Sequence, residues 1–339
     1  MFTKAGIGVG LLIALLLLPT GCNQKDNPAD PMQYVLKQDS KVTIAHKYSS
    51  KYDLWIVFDH SGANRLYSFS QWRLAANDGE RANPDLNRAS SVLQNALSDW
   101  IGPYYVKANR NGTGSSAEEF TGGAHAYNGN DTGSATARTV SVQVTADGVE
   151  LQEGDVVPSD QVELRVVNRI QGYNTKLEDG RGREILQETI RYTVTGGRVQ
   201  VHAEIEALED VTITRYYGLQ TVNYAWNGDI AYMAGDRVVS SSPVKAYSDS
   251  GKLPDYPDID RLLISSANEH PIRHRLEVRL DRSYGLGTME HVAAHRPAAF
   301  TYEYGKSYFL QIMEKAYELP ARRTISWRGS YRFYSTQED

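Results

Sequence analysis

Apolar and polar residues alternate along most of the chain after residue 40. A side chain of the same character at every second position is typical of a β-strand that buries one face. The pattern predicts strands at 41–47, 54–59, 139–145, 161–170, 188–194, 199–207, 211–217, 274–280, 300–311 and 324–334. Gly196 and Gly197 separate two of these strands and are typical of a hairpin turn.

The segment 84–100 has helical spacing instead. Its apolar positions are Leu86, Ala89, Leu93 and Leu97. Asn83 precedes it as a suitable N-cap, so one helix is predicted here. Strands and helices do not alternate along the chain, which argues against a doubly wound α/β sheet. We therefore predict an all-β protein, an antiparallel β-sandwich of jelly-roll type with one short helix.

The N-terminus has the features of an export signal. Lys4 precedes the mostly apolar run Ile7–Leu18, which is short for a membrane span. Residues 18–22 read Leu-Pro-Thr-Gly-Cys and resemble a bacterial lipobox, which implies cleavage before Cys22 and lipidation of its thiol. The alternative is an ordinary secretory peptide with an incidental cysteine.

These features predict three regions. Residues 1–21 are a lipoprotein signal peptide, 22–40 a polar tether, and 41–339 a single β-sandwich domain that is catalytic or glycan-binding. The expected location is the bacterial cell envelope. The protein would be held on a membrane, such as the outer membrane, by the lipid at Cys22.

Composition narrows the possible functions. The chain has 339 residues, a net charge of −5 and a single Cys. With 41% hydrophobic and 23% charged residues, the composition is that of a globular protein. The mildly acidic net charge argues against attraction of the whole molecule to nucleic acid. The single Cys excludes an intramolecular disulfide and a Cys-based zinc site. Tyr counts 22 against 7 for Phe, which favours a polar groove over a dry core. No cofactor is predicted, although Asn128–Asp131 and Glu178–Gly180 could supply oxygens to Ca²⁺.

The segment 109–138 is a long polar loop, rich in Gly, Asn, Ser and Thr. His125 and Tyr127 follow the pair Gly122-Gly123, which would let the backbone approach a ligand closely. The segment is either functional or a mobile surface loop.

Two predicted strands carry polar stripes. Gln200 and His202 share one face of the first, so they line a groove or a plain solvated surface. Arg275 and Arg279 share one face of the second with Glu277. Guanidinium groups bind carboxylates and sulfates in pairs of hydrogen bonds, and the alternative here is a ladder of salt bridges.

The predicted strand 300–311 carries aromatic and cationic side chains on one face: Tyr302, Tyr304, Lys306 and Tyr308. Tyrosine stacks on a sugar ring and can donate a proton when a nearby cation lowers its pKa. The alternative is a ladder of tyrosines on a sheet surface.

Three short motifs resemble those of β-jelly-roll polysaccharide lyases of the alginate and glycosaminoglycan type. They are Arg275-Leu276-Glu277-Val278-Arg279, Gln200-Val201-His202 and Tyr304-Gly305-Lys306-Ser307-Tyr308. Their order along the chain and the spacing of the Tyr motif differ from those families. Three further segments are similar to segments of uncharacterised phage-tail and gut-bacterial β-proteins. They are the loop with Gly122, Gly123 and His125, the stretch 171–174 that ends at Asn174, and the stretch 327–332.

The resemblance implies a lyase that cleaves a uronic-acid-containing polysaccharide, such as chondroitin, hyaluronan or alginate, by β-elimination. His125 or His202 would be the base and Tyr304 or Tyr308 the acid, while Arg138, Arg275 or Arg279 would hold the uronate carboxylate. The remaining predicted substrate contacts are Lys306, Tyr302, Tyr127, Asn174 and Gln200. Three alternatives stay open: a non-catalytic glycan-binding lipoprotein, a glycoside hydrolase with two carboxylates, and a structural lipoprotein.

Overall fold

The computed structural model describes residues 33–335, apart from 86, 96–98, 114–116, 128–131, 224–225, 245–257, 268–272 and 303–304. Cys22 and the signal segment lie outside the described residues, so the lipid anchor stays a prediction. Strands dominate the described part, and short 3-10 turns lie at Tyr173–Thr175 and Gly285–Thr288. No helix in the described part is long and apolar enough to cross a membrane.

The first half of the chain forms β1 (Gln33–Gln38), β2 (Lys41–Lys47), β3 (Tyr52–Ser61), β4 (Leu66–Ala76), β5 (Ser90–Asn95), β6 (Tyr104–Ala108), β7 (Ala137–Ala146), β8 (Val149–Glu150), β9 (Val156–Ser159) and β10 (Val162–Gln171). The second half forms β11 (Glu184–Thr195), β12 (Arg198–Ala207), β13 (Val211–Tyr216), β14 (Gln220–Val222), β15 (Asp229–Ala234), β16 (Arg237–Pro243), β17 (Arg261–Ser265), β18 (His274–Leu280), β19 (His291–Val292), β20 (Ala299–Thr301), β21 (Lys306–Phe309), β22 (Ile312–Leu319) and β23 (Thr324–Ser335).

Two large sheets face each other and confirm the prediction of an all-β antiparallel sandwich. One has the order β5-β4-β3-β2-β1-β9, and the other has the order β16-β15-β17-β18-β23-β12-β11-β10-β7-β8. Aromatic side chains fill the space between them. The Phe58 ring lies 5.2 Å from that of Tyr192, and the Trp72 ring lies 5.0 Å from that of Phe333.

Two smaller sheets complete the fold, with the orders β19-β22-β13-β6 and β14-β21-β20. Apolar alternation explains why the strands form as they do. On β12, for example, Val199, Val201, Ala203 and Ile205 are buried and the residues between them face outward. The predicted two-residue turn at Gly196-Gly197 joins β11 to β12, where Thr195 lies opposite Arg198.

The predicted helix at 84–100 is wrong. Ser90–Asn95 form β5, an edge strand that pairs with β4 from Gln71 to Ala75. Pairing with a neighbouring strand satisfies the backbone, and it overrides the helical spacing of a few apolar residues.

Two boundaries also need correction. The tether predicted for 22–40 reaches too far, because β1 starts at Gln33 and buries Val35 completely. The strand predicted at 300–311 is a hairpin of β20 and β21. It turns at Gly305, whose φ of +84° suits glycine and whose N–H donates to the Tyr302 carbonyl at 2.8 Å.

The tyrosine excess belongs to the core as well as to the surface, contrary to the expectation from composition. Among the largest fully buried side chains are Tyr67, Tyr104, Tyr192, Tyr216, Tyr232 and Tyr331. Five of these six hydroxyls have a hydrogen-bond partner inside the protein, as where Tyr331 donates to the Trp100 and Gln220 carbonyls at 2.7 and 2.6 Å. The Tyr192 hydroxyl has none among the described residues. A buried phenol costs little when its hydroxyl is hydrogen-bonded.

Candidate functional site

A concave surface of about 800 Å³ lies on the outer face of the ten-stranded sheet, across β11, β12, β23 and β18. We call it the arginine groove. Its basic residues are Arg191, Arg198, Arg279, Arg282 and Arg328. Its other polar residues are Thr193, Gln200, His202, Asp260, Asp281, Ser283 and Ser330.

Strand register brings the central residues of the arginine groove together. On one row, His202 of β12 lies opposite Arg191 of β11 and Arg328 of β23. On the next row, Gln200 lies opposite Ser330, which lies opposite Arg279 of β18. Side chains on directly opposite residues are about 5 Å apart at Cβ, so the two rows form one continuous polar surface.

Some of these arginines have carboxylate partners. Arg279 Nε lies 3.2 Å from Asp260 Oδ2, and Arg191 Nε lies 3.1 Å from Glu163 Oε1. Arg282 is a structural residue, because it is mostly buried and donates to three carbonyls, among them that of Ile259 at 2.8 Å. Burial lowers the pKa of Arg282 to about 10, although Asp260 and Asp258 act against the shift.

Two arginines of the groove differ from these in lacking a carboxylate partner within the described residues. Among the residues that the structure describes, no carboxylate lies within 4 Å of Arg198 or Arg328. Arg198 lies directly opposite Arg332 on β23, so two like charges face each other at one end of the arginine groove. This arrangement attracts anions and destabilises the free protein slightly.

His202 contacts a tyrosine that comes from a different part of the chain. The Tyr284 hydroxyl lies 3.4 Å from His202 Nε2 and 3.1 Å from the Ser326 hydroxyl. The Arg328 guanidinium stacks over the Tyr284 ring at 3.9 Å. Burial lowers the pKa of His202, and the cations Arg328 and Arg191 lower it further while Glu204 opposes them. His202 is therefore a neutral base at neutral pH.

A second cluster of chemically active residues surrounds Asp99. Its buried carboxylate oxygen Oδ2 lies 3.2 Å from His125 Nε2 and 3.2 Å from Lys306 Nζ, while Oδ1 accepts the Ala124 N–H. Burial alone would raise the pKa of Asp99, but Lys306, His125 and the Ala124 N–H hold it well below its usual range.

Aromatic rings enclose the Asp99 cluster. Phe120 lies 4.9 Å from the His125 ring and 6.0 Å from the Tyr217 ring. Tyr217 in turn lies 4.9 Å from Tyr308, and Lys306 Nζ lies 5.3 Å from the centre of the Tyr308 ring. The predicted residue Tyr302 contacts Tyr308 edge-on at 5.6 Å.

The predicted residues thus fall into two groups. Gln200, His202 and Arg279 meet in the arginine groove, and His125, Lys306, Tyr302 and Tyr308 meet around Asp99. Tyr304 lies outside the described residues.

The remaining predicted residues belong to neither group. Arg138 forms an exposed ion pair with Glu184, and Arg275 lines a separate concave surface of about 460 Å³ with Asp229 and Ser265. Tyr127 is buried and donates to Gln171 Oε1 at 2.9 Å, while Asn174 bonds both backbone groups of Ala108 at 2.9 Å.

Three residues of these sites escape the sequence analysis. Tyr284 lies in a turn without periodicity, and Asp99 lies near the end of the segment 84–100, for which the spacing wrongly predicts a helix. Arg328 could have been found, because it alternates with Ser330 and Arg332 along β23.

The described residues contain no group of three or more His, Cys, Asp or Glu side chains placed to hold a metal ion. Of the two segments considered for Ca²⁺, Asn128–Asp131 lies outside the described residues. Asp179 of the other is paired with Arg181 at 2.6 Å.

No protein-family profile and no curated protein matches this chain. Solved structures of similar fold include a GH36 α-galactosidase from Geobacillus stearothermophilus, with 12% identity, 87% of this chain and 41% of that chain covered, and a TM-score of 0.44. A galactose 1-epimerase from Lactobacillus acidophilus shares 9% identity over 90% of this chain and 98% of that chain, with a TM-score of 0.31.

A heparan sulfate lyase from Pedobacter heparinus shares 8% identity over 91% of this chain and 37% of that chain, with a TM-score of 0.32. For three α-galactosidases in the comparison, this chain covers only 40% to 41% of the other chain, so it spans about two fifths of their length. Each of these proteins is named as a carbohydrate-active enzyme. At such low identities and scores the comparisons assign no function to this chain, and they leave the chemistry to its own residues.

Proposed function

We propose that the arginine groove binds an anionic, uronate-containing polysaccharide and cleaves it by β-elimination. The observation that carries this proposal is the His202–Tyr284 pair, a neutral base and a phenol 3.4 Å apart. Beside it lie arginines that have no carboxylate partner among the described residues. Base, acid and anion-binding groups are the three requirements of this reaction.

The first step needs a neutralised carboxylate, because the C5 proton of a uronate is only weakly acidic. Arg328 lies in register with His202, so its guanidinium can hold the carboxylate beside the base. Arg198 is well placed to bind a neighbouring sugar acid or sulfate along the same face.

His202 then takes the C5 proton, the C4–O bond breaks, and a C4–C5 double bond forms. Tyr284 donates its proton to the departing oxygen, which leaves a phenolate and an imidazolium. Arg328 stacks on the Tyr284 ring and stabilises the phenolate. Because the two side chains contact each other, the proton on His202 can return to Tyr284 and restore both groups.

The test follows ultraviolet absorbance of the unsaturated product while the purified chain is incubated with chondroitin, hyaluronan, alginate and glucuronan. His202→Gln and Tyr284→Phe should each abolish the signal obtained with the active polymer. His291 and Tyr317 form a matched His–Tyr contact outside the groove, with ring centres 4.4 Å apart, so His291→Gln and Tyr317→Phe are controls. Absence of product from every uronate polymer would refute the lyase proposal.

A second candidate function is retention of the polysaccharide without cleavage. Arg198 and Arg328, which have no carboxylate partner among the described residues, favour it. Affinity electrophoresis in a gel containing the polymer separates the two. Retention that persists in His202→Gln, without an absorbing product in the wild type, indicates a binding protein. New reducing ends without absorbance indicate a hydrolase.

A further inference from the structure

The His125 ring is held in place by a buried framework. Its backbone carbonyl accepts hydrogen bonds from Asn64 Nδ2 at 2.9 Å and from the Thr136 hydroxyl, while its Nε2 faces Asp99. Asn64, Asp99 and Thr136 are all buried. A side chain fixed from both ends in this way is pre-organised for an interaction at its remaining free atom.

That free atom is Nδ1. In the neutral ring, donation from Nε2 to Asp99 makes Nδ1 a hydrogen-bond acceptor. Nδ1 has no hydrogen-bond partner among the described residues, and the His125 side chain is 18% exposed. Lys306 remains beside Asp99 and compensates its charge.

An aromatic strip continues from His125 across the surface. The Phe120 ring lies 4.9 Å from His125, the Tyr105 ring lies 4.2 Å from Phe120, and the Arg215 guanidinium lies 4.4 Å from the Tyr105 ring. All four side chains are partly exposed, and Tyr217 supports Phe120 from the buried side. We call His125, Phe120, Tyr105 and Arg215 the aromatic strip.

We propose that the aromatic strip is a second carbohydrate site, separate from the arginine groove, which binds a single pyranose ring. The C–H face of the sugar stacks on Phe120 and Tyr105, and one of its hydroxyls donates to His125 Nδ1. Aromatic faces beside a fixed acceptor fit this ligand class, because a pyranose offers an apolar face and hydroxyl donors at its edge. Recognition by stacking requires no negative charge, so a neutral sugar is sufficient.

The test uses methyl β-D-glucoside and methyl β-D-galactoside with saturation-transfer NMR, which detects weak binding of small ligands. Phe120→Leu keeps an apolar side chain but removes the ring face, and we expect affinity for the bound glycoside to fall about tenfold. His125→Gln keeps an N–H donor toward Asp99 but has a methylene group where Nδ1 stood, so no acceptor remains at that position, and a fall of similar size is expected. Both variants should unfold at nearly the wild-type temperature, because each keeps its buried contacts.

The control is Arg198→Ala in the arginine groove, which should leave binding of the neutral glycosides unchanged. Nitrogen-15 spectra of the histidines give a second measurement, since the ligand should shift the resonances that disappear in His125→Gln. The proposal is overturned if neither glycoside binds, or if binding persists unchanged in both strip variants. Loss of binding in Arg198→Ala alone would also overturn it. These outcomes are independent of the lyase test, which uses anionic polymers and another readout.

Discussion

We expect the protein to lose stability in mild acid, because two of its histidines are buried in the folded state. His46 on β2 and His274 on β18 belong to opposite large sheets, and both contact Tyr48. His274 Nδ1 lies 3.1 Å from the Tyr48 hydroxyl, whereas His46 Nδ1 is buried without a hydrogen-bond partner among the described residues. Among the described residues, no carboxylate forms an ion pair with either histidine.

Burial lowers the pKa of each histidine from 6.5 to about 4. In the unfolded chain each regains its ordinary pKa, so between these values the unfolded state binds more protons than the folded state. Stability is therefore fully present above pH 6.5 and is lost progressively as the pH falls toward 4. At about pH 5, protonation of each histidine in the unfolded state lowers the free energy of unfolding by about 2 kcal/mol, and the two together lower it by about 4 kcal/mol.

Urea unfolding between about pH 7.5 and pH 5, followed by tryptophan fluorescence, measures this loss. His274→Asn keeps a donor toward Tyr48, and His46→Leu removes a polar atom that has no partner. Each should abolish about half of the pH dependence, and the double variant nearly all of it. An unfolding free energy that stays constant over this range in the wild type would refute the reasoning, as would an undiminished loss in the double variant.

Three further predictions concern the Asp99 cluster and the arginine groove. Gly123→Ala places a Cβ against the Asp99 carboxylate at a φ of +51°, whereas the control Gly154→Ala meets open space at a φ of +87°. Chemical denaturation should show Gly123→Ala to be at least about 2 kcal/mol more destabilising, and equal losses would contradict the packing of this loop. Lys306→Met should cost about 3 kcal/mol because it leaves Asp99 buried without its nearest cation. Asp99→Asn in the same chain should restore part of that loss, and additive losses in the double-mutant cycle would argue against the pairing. Retention of an anionic polysaccharide in affinity gels should weaken as salt rises, and Arg198→Ala should weaken it about tenfold further while the exposed control Arg110→Ala changes little. Salt-independent retention would exclude the electrostatic account.

Alternation of apolar and polar residues predicted the strands that bury one face and expose the other to solvent. The predicted bounds of the strands at 41–47 and 274–280 are those of β2 and β18. The segment 84–100 was not predictable in this way, because β5 is held by its pairing with β4. The spacing of apolar residues within the segment does not report this pairing with another strand.

The same distinction applies to the sites. Gln200, His202 and Arg279 could be found because strand alternation places them on an outer face, and register then brings them together. Tyr284 reaches His202 from a turn 82 residues away, and Lys306 reaches Asp99 across 207 residues. Such contacts depend on how loops are placed over the sheets, which hydrophobic periodicity does not report.

The facing pair Arg198 and Arg332 links the stability of the protein to the occupancy of the arginine groove. Like charges held opposite each other oppose folding until a ligand neutralises them, so occupancy and thermal resistance should rise together. Replacing Arg198, the member of the pair that lines the groove, with a neutral residue should raise the melting temperature of the free protein and weaken its binding of the ligand. A melting-temperature screen against a panel of polyanions can therefore reveal the natural ligand of the groove before any reaction has been observed.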